Sequence, residues 1–170
     1  LASQPEPVSH EFLKLKGQQG SWCCAWYDET EQGCLRYADR PMACGLLDCT
    51  DTGPLLAIAG RDLLTRFDCM ADDDPLLPLI REHEQCCPCP DLQALAHDLA
   101  KGSLDPQRQA QLEAAVNHDL AFRSRVADEW HLSVALELFC FGRPLFQLLL
   151  PLGLQAMQTP AGIRLHRCPS

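Results

Sequence analysis

Positive charge is scarce in this chain: 14 lysines and arginines stand against 23 aspartates and glutamates, a formal net charge of −9. A polyanion such as nucleic acid would be repelled unless a basic patch intervened. None does, since Lys14 and Lys16 are the only closely spaced lysines and the arginines are scattered. Nucleic acid is therefore not expected as a partner. Long apolar runs are also missing. The most apolar window, Leu145–Leu154, is short and broken by proline, too little to span a bilayer. Residues 1–20 hold no continuous apolar stretch behind a basic start, so neither a secretory leader nor a membrane partner is expected, and the chain reads as soluble and cytoplasmic. Neither G-x-G-x-x-G nor a P-loop occurs, which removes the usual signatures of a nucleotide cofactor. Internal repeats and low-complexity segments are absent as well.

What the chain has in excess is cysteine. Eleven are present in 170 residues, and nine of them fall between Cys23 and Cys89. In a reducing cytosol a disulfide framework is disfavoured, and a framework would be spread through the fold rather than gathered in one stretch. Clustering of this kind points to metal ligation. With 46% hydrophobic residues the chain can still bury a core of ordinary size.

The patterning predicts an α+β fold. Trp22–Asp28 reads as a short strand, with Cys34–Tyr37 as its hairpin partner across the acidic turn Glu29–Gly33. From Arg40 to Asp51 the chain reads as an irregular, cysteine-bearing loop. Leu55–Phe67 has helical character, with a break expected at Gly60. Asp74-Pro75 opens a helix running to about Glu84, Asp91 caps a second as far as Gly102, and Asp105-Pro106 opens a longer third. Leu112, Ala115, Val116, Leu120, Val126 and Trp130 form that third helix's apolar stripe, with its charges on the outer face. A further helix covers Leu132–Phe141, and Gly153–Gln158 with Gly162–His166 read as a small hairpin. The organisation expected is a cysteine-cluster region over residues 1–90 and a helical region with its hairpin over 91–170, together one compact unit. Trp22, Trp26 and Tyr27 are expected as core under the first hairpin and Trp130 as helix packing. His97, His118 and His131 are expected to be structural or solvated.

Cys24, Cys34, Cys44 and Cys49 form a plausible four-thiolate set. Ligating sulfurs must converge to about 2.3 Å from a zinc ion. The hairpin returns Cys34 towards Cys24, and the five-residue step from Cys44 to Cys49 lets both face one centre. His83 and Cys86, three apart at the end of a helix, share a face and form a further candidate pair; the alternative for His83 is a solvated side chain in the charged stretch Arg81–Glu84. Cys87 and Cys89 are adjacent candidates. Of the neighbours Cys23 and Cys24, alternation along a strand allows one to reach a given metal. Cys69, Cys140 and Cys168 are expected as core or surface thiols.

Cys24-Ala-Trp-Tyr-Asp28, followed by Cys34-x2-Tyr37-x2-Arg40-Pro41-x2-Cys44, resembles the YkgJ-type cysteine-cluster family of zinc- or iron-chelating proteins. The tract Cys49-Thr50-Asp51-Thr52, then Leu64-Thr65-Arg66 and His83-x2-Cys86, look like one bacterial branch of it. The resemblance covers residues 11–90 and extends loosely into the helical remainder. It implies Cys24, Cys34, Cys44, Cys49 and Cys86 as ligands, with His83 beside them. It also implies that Arg40 orients the loop or hydrogen-bonds near a thiolate centre, with Tyr37 packed over it. The chain departs from the family in two ways. The C-x2-C-x2-C-C element that usually lies upstream does not precede Cys23, so a shortened or diverged amino terminus is expected. The arginine that commonly follows the third cysteine is Gly45, and the tryptophan of the C-W-D-T tract is Thr50.

The function these features support is metal binding, by zinc or an iron–sulfur centre held through clustered cysteines, since both are thiophilic. Two other classes compete: an iron–sulfur oxidoreductase or cluster-containing modifying enzyme, for which no catalytic residue stands out, and a metal-stabilised module presenting a surface to a protein partner.

Overall fold

The computed structural model describes residues 13, 17–18, 23–48, 50–102 and 104–168. The chain is α+β, a mostly helical body with two small antiparallel strand pairs, the second forming a carboxy-terminal hairpin. It divides into two units, Leu1–Cys69 and Met70–Ser170, so the helix bearing His83 and Cys86 belongs with the helical body.

In the first unit β1 (Tyr27–Asp28) pairs with β2 (Gly33–Cys34), Tyr27 opposite Cys34. The reversal is local chemistry: Asp28 Oδ1 accepts from the Thr30 and Glu31 amides at 2.7 and 3.0 Å, and Gln32 takes a left-handed conformation with φ 49°. The hairpin is much shorter than the strand-rich residues suggest, because turns begin on both sides of the paired residues. Within Arg40–Asp51, read as irregular, a five-residue helix α1 (Met42–Leu46) follows Pro41. Helix α2 (Gly53–Ile58) ends before Gly60, whose φ of 78° makes the expected break. Trp26 and Tyr27 are 39% and 36% exposed, so they are not core; two-residue strands supply no sheet face for them to cover. Trp22 lies outside the described residues.

The second unit follows its caps. Asp74 Oδ1 accepts from the Leu76 amide at 2.9 Å ahead of α3 (Leu77–Cys86). Asp91 accepts from the Gln93 and Ala94 amides at the start of α4 (Leu92–Ala100). Asp105 accepts from the Arg108 amide at the start of α5 (Pro106–Trp130), a helix of 25 residues. The Asp91 and Asp105 caps are each worth about 1 kcal/mol and satisfy amides that would otherwise be orphaned. Asp74 is not the cap expected of it, because α3 begins only at Leu77 and its N-cap position, Leu76, offers no side-chain cap. Ser133 caps α6 (Val134–Phe141), and Pro144 precedes the short α7 (Leu145–Leu149), which runs into a single 3₁₀ turn, Leu150–Leu152. Strands β3 (Leu154–Thr159) and β4 (Gly162–Arg167) pair from Leu154–Arg167 to Thr159–Gly162.

Helix α5 serves two apolar clusters in succession. Leu112 and Val116 pack with Leu95, Leu99, Leu145, Leu149, Leu154 and Leu165; Phe122 and Val126 pack with Ile80, Cys140 and Phe141. Full burial of a side chain such as Leu95 or Leu149 contributes roughly 1.5–3 kcal/mol. The stripe differs from the periodicity at two places. Trp130 is 43% exposed at the helix end, and the charged residues Glu113, Asp119 and Arg123 are buried rather than outward-facing. Their burial is tolerated because each is hydrogen-bonded, and among the described residues no buried side-chain polar atom lacks a partner.

Every buried apolar side chain among the described residues lies between Leu77 and Leu165, in the second unit. Among the described residues no single helix is long and apolar enough to cross a membrane; α6 and the segment Leu145–Leu152 would pass only as a pair, and they are bent by 71°.

Candidate metal centre

Three elements of the first unit bring cysteines to one cleft of about 290 Å³. Cys24 lies just before β1, Cys34 on β2 and Cys44 within α1, and the cleft is completed by Trp26, Arg36, Asp39, Arg40 and Pro41. All three thiols belong to exposed residues. The Trp26 amide donates to Cys24 Sγ at 3.5 Å. Arg40 stacks with its Cζ 4.1 Å above the centroid of the Tyr37 ring, and Arg36 lies 5.0 Å over Trp26. Two guanidiniums thus border a wall of three thiols, each fixed by an aromatic ring. Gly45 sits against this arrangement: a Cβ there would lie 3.6 Å from Arg40 Nε. Cys49 lies outside the described residues.

His83 and Cys86 sit in the second unit, on α3. The solvated alternative for His83 does not hold. It is 6% exposed, its Nε2 lies 2.8 Å from Asp119 Oδ1, and its ring packs at 5.1 and 5.0 Å from those of Phe122 and Phe141. Asp119 is fully engaged: Oδ1 also accepts from Arg123 Nε at 2.8 Å, and Oδ2 accepts from the Leu145 amide at 2.9 Å. Burial acts to raise the Asp119 pKa, but the hydrogen bonds from His83, Leu145 and Arg123, with the Arg123 charge, outweigh it and hold the carboxyl below its usual range. An ionised Asp119 only accepts, so His83 Nε2 carries the proton.

Among the described residues two groups of donor atoms converge in this unit, each with all atoms within 4.8 Å of one another: Cys86, Cys87 and His118, and His83, Cys87 and Asp119. Cys86 Sγ and Cys87 Sγ are 3.6 Å apart. The helix ends between them, Cys87 leaving it with φ −123° and ψ 53°, so adjacent side chains converge instead of splaying round the helix. Burial foremost, then the hydrogen bond and charge of Cys86 and the charge of Asp119, push the Cys87 thiol up to about 12, against the pull of Arg123.

The sequence marks Cys87 as a candidate ligand beside Cys86, but it gives His118 only the look of a structural or solvated histidine. His118 lies 31 positions beyond Cys87, and no spacing rule links them; only the packing of α3 on α5 does. Asp119 and Arg123 are four apart on one helix, which was legible as a surface ion pair but not as a buried one. The chain is therefore a cysteine-rich α+β protein with side-chain groups that can hold a metal ion. Compared with family models, with curated proteins and with solved structures, it matches none.

Proposed function

We propose that the protein binds zinc or an iron–sulfur centre through Cys24, Cys34, Cys44 and Cys49 of its first unit. The observation that carries this reading is the single cleft lined by Cys24, Cys34 and Cys44, in a unit none of whose described apolar side chains is buried. Described residues that bury no apolar side chain need another source of stability, and in a reducing compartment a metal is the available one. Convergent thiols suit a thiophilic ion, and Arg36 and Arg40 offset the negative charge that several thiolates bring. The Tyr-x2-Arg-Pro-x2-Cys tract ending at Cys44 supports the same reading, through its likeness to the YkgJ-type cysteine-cluster family. In it Arg40, held by Tyr37, orients the loop around the centre. His83 takes no place in this set, since its Nε2 proton is committed to Asp119.

The test is elemental analysis with a visible spectrum on protein purified without air, together with Cys44→Ser. Iron with matching acid-labile sulfide would identify an iron–sulfur centre and favour electron transfer or sensing. Colourless protein with zinc would identify a closed structural site. In either case Cys44→Ser lowers metal content and melting temperature; a variant with unchanged metal stoichiometry and unchanged melting would remove Cys44 from the centre. Wild-type protein that is folded and metal-free would overturn the reading.

A further inference from the structure

We propose that Cys86, Cys87 and His118 form a second metal site on the helical body, one that takes a zinc-class divalent ion and leaves one coordination position open. All of its ligands belong to the second unit, and none is among those of the centre read in the first.

The geometry is that of a partly assembled tetrahedron. Sulfurs bound at about 2.3 Å at tetrahedral angles lie about 3.8 Å apart. Cys86 Sγ and Cys87 Sγ are 3.6 Å apart, close to that edge and far beyond the roughly 2.05 Å of a disulfide. The imidazole of His118 supplies the third donor within 4.8 Å of both sulfurs. Its backbone is fixed in the middle of α5, and α3 is held to that helix by His83 and Asp119 on the neighbouring position. The cysteines are fixed likewise, since the Cys87 amide donates to His83 O at 2.8 Å and closes the last turn of α3.

The other convergent group shares Cys87 but has a different character. His83 Nε2 and Asp119 Oδ1, 2.8 Å apart, are at hydrogen-bonding distance, shorter than the spacing of two ligands around one tetrahedral ion. Asp119 has its remaining capacity filled by Arg123 and the Leu145 amide. A cation there would have to displace the proton and face the Arg123 charge. That group is a closed hydrogen-bonded network that braces the site from beneath.

Exposure separates the two in the same direction. Cys86 and His118 are exposed and Cys87 half-buried, so an ion can arrive from solvent without the body opening. Two sulfurs and one nitrogen select zinc-class ions over magnesium or calcium, which prefer oxygen. Three protein ligands leave a place for water or for a ligand atom from a partner, the arrangement of zinc sites that exchange or act rather than merely staple. Cys89 does not close the set: its Sγ faces the neighbouring carbonyl of Pro90 at 3.6 Å.

The full-length chain, reduced and metal-free, is titrated with Co²⁺ as a spectroscopic substitute for Zn²⁺, in parallel with Cys86→Ser and His118→Gln. Both substitutions are at exposed positions, and circular dichroism checks that the helical body is intact. Each is expected to lower the bound cobalt by one equivalent and to remove one set of tetrahedral ligand-field bands, with the lost charge-transfer intensity that of two thiolates. A Cys24→Ser, Cys44→Ser double variant separates the two centres: it is expected to retain this equivalent while losing the other. Unchanged stoichiometry and spectrum in His118→Gln would overturn the site, as would loss of all tetrahedral cobalt in the Cys24→Ser, Cys44→Ser chain with its helical body intact. Loss of only the equivalent assigned to Cys86, in a chain whose first unit never bound cobalt, would sustain this site and reject the other.

Discussion

The Nε2–H of His83 donates to Oδ1 of Asp119 across 2.8 Å, and this one bond joins α3 to the middle of α5 inside the helical body. Arg123 meets the same oxygen and continues to the carbonyls of Phe141 and Gly142 at 2.7 and 3.0 Å. Asp119 is thus the shared acceptor of a network spanning α3, α5, α6 and the start of α7.

Asp119→Asn should destabilise the body severely. It keeps the volume but removes the nearer of the two carboxylates facing the buried Arg123 charge, leaving Glu137 at 3.4 Å; breaking a buried pair costs up to about 3–5 kcal/mol. Against a typical domain stability of roughly 5–15 kcal/mol the variant would be marginal. Urea unfolding followed by far-ultraviolet circular dichroism measures it; a midpoint within experimental error of wild type would show that the network contributes nothing.

Stability should fall in acid, and Asp119 and Glu113 should account for part of the fall. At Glu113 burial raises the pKa, but the Leu165 amide, Gln109 and Arg164 lower it further than burial lifts it. Both carboxyls therefore titrate lower in the folded chain than the ordinary values of about 3.9 and 4.3. Their stabilisation is complete above those values and is lost as pH drops through the folded ones. Unfolding midpoints between pH 7 and pH 3 should fall for wild type and flatten in Glu113→Gln; parallel curves would exclude Glu113 as a source.

Docking of the carboxy-terminal hairpin should depend on Asn117. Its side chain behaves like a short strand edge, accepting from the Ile163 amide at 2.8 Å and donating to the Ile163 carbonyl at 2.9 Å. Asn117→Ala leaves both backbone groups short of a partner, a cost of about 1–3 kcal/mol. Gly162→Ala should be at least as harmful: φ there is 111°, and a Cβ would lie 2.6 Å from Asn117 Oδ1. Amide hydrogen exchange should accelerate along β4 in both variants and leave α3 less affected.

Removing metal should act on one unit more than the other. The helical body has its own core, whereas the described residues of the first unit bury no apolar side chain. A strong chelator is therefore expected to abolish exchange protection over residues 24–58 while α4, α5 and the hairpin keep theirs. Equal loss of protection in both units would show that the metal holds the whole chain together.

Thiol reactivity should separate the cysteines in metal-free protein. Cys140 is wholly buried and should resist iodoacetamide until the body unfolds. Cys87, its thiol pushed up to about 12, should remain largely protonated at neutral pH and react slowly. Exposed Cys24, Cys34 and Cys44, with the likewise exposed Cys69 and Cys86, should alkylate before both, and mass spectrometry of peptides at successive times reads the order.

The parts of this architecture that could be read in advance are those decided within a few residues. Asp91 and Asp105-Pro106 cap helices because a carboxylate and the amides two or three positions on are neighbours in any conformation the chain adopts there. The hairpin around Thr159–Gly162 is local in the same sense. Cys24, Cys34 and Cys44 were gathered by the same reasoning, through a turn and a short loop. What sequence could not convey was the inside of α5. Asp119 and Arg123 look like a solvent-facing pair until α3 and α6 are laid on top of them, and His118 acquires its cysteine neighbours in the same step. Trp130 differs for the converse reason: periodicity supplies a face, but at the last residue of α5 the side chain is only partly covered, at 43% exposure.

Arg123 has one further effect, on the order in which the body can form. Helix α6 is eight residues long, well under the roughly 12–15 at which an isolated helix becomes even marginal in water. Its final carbonyls, at Phe141 and in Gly142, are met by a guanidinium that belongs to α5. Gly142, with φ 67°, turns the chain out of that helix, and the carbonyls left there are satisfied by a segment already behind it in the chain. During synthesis α5 emerges before α6, so the receptor for those carbonyls is in place when they arrive. A circular permutant that places α6 ahead of α5 would preserve every contact and lose that head start.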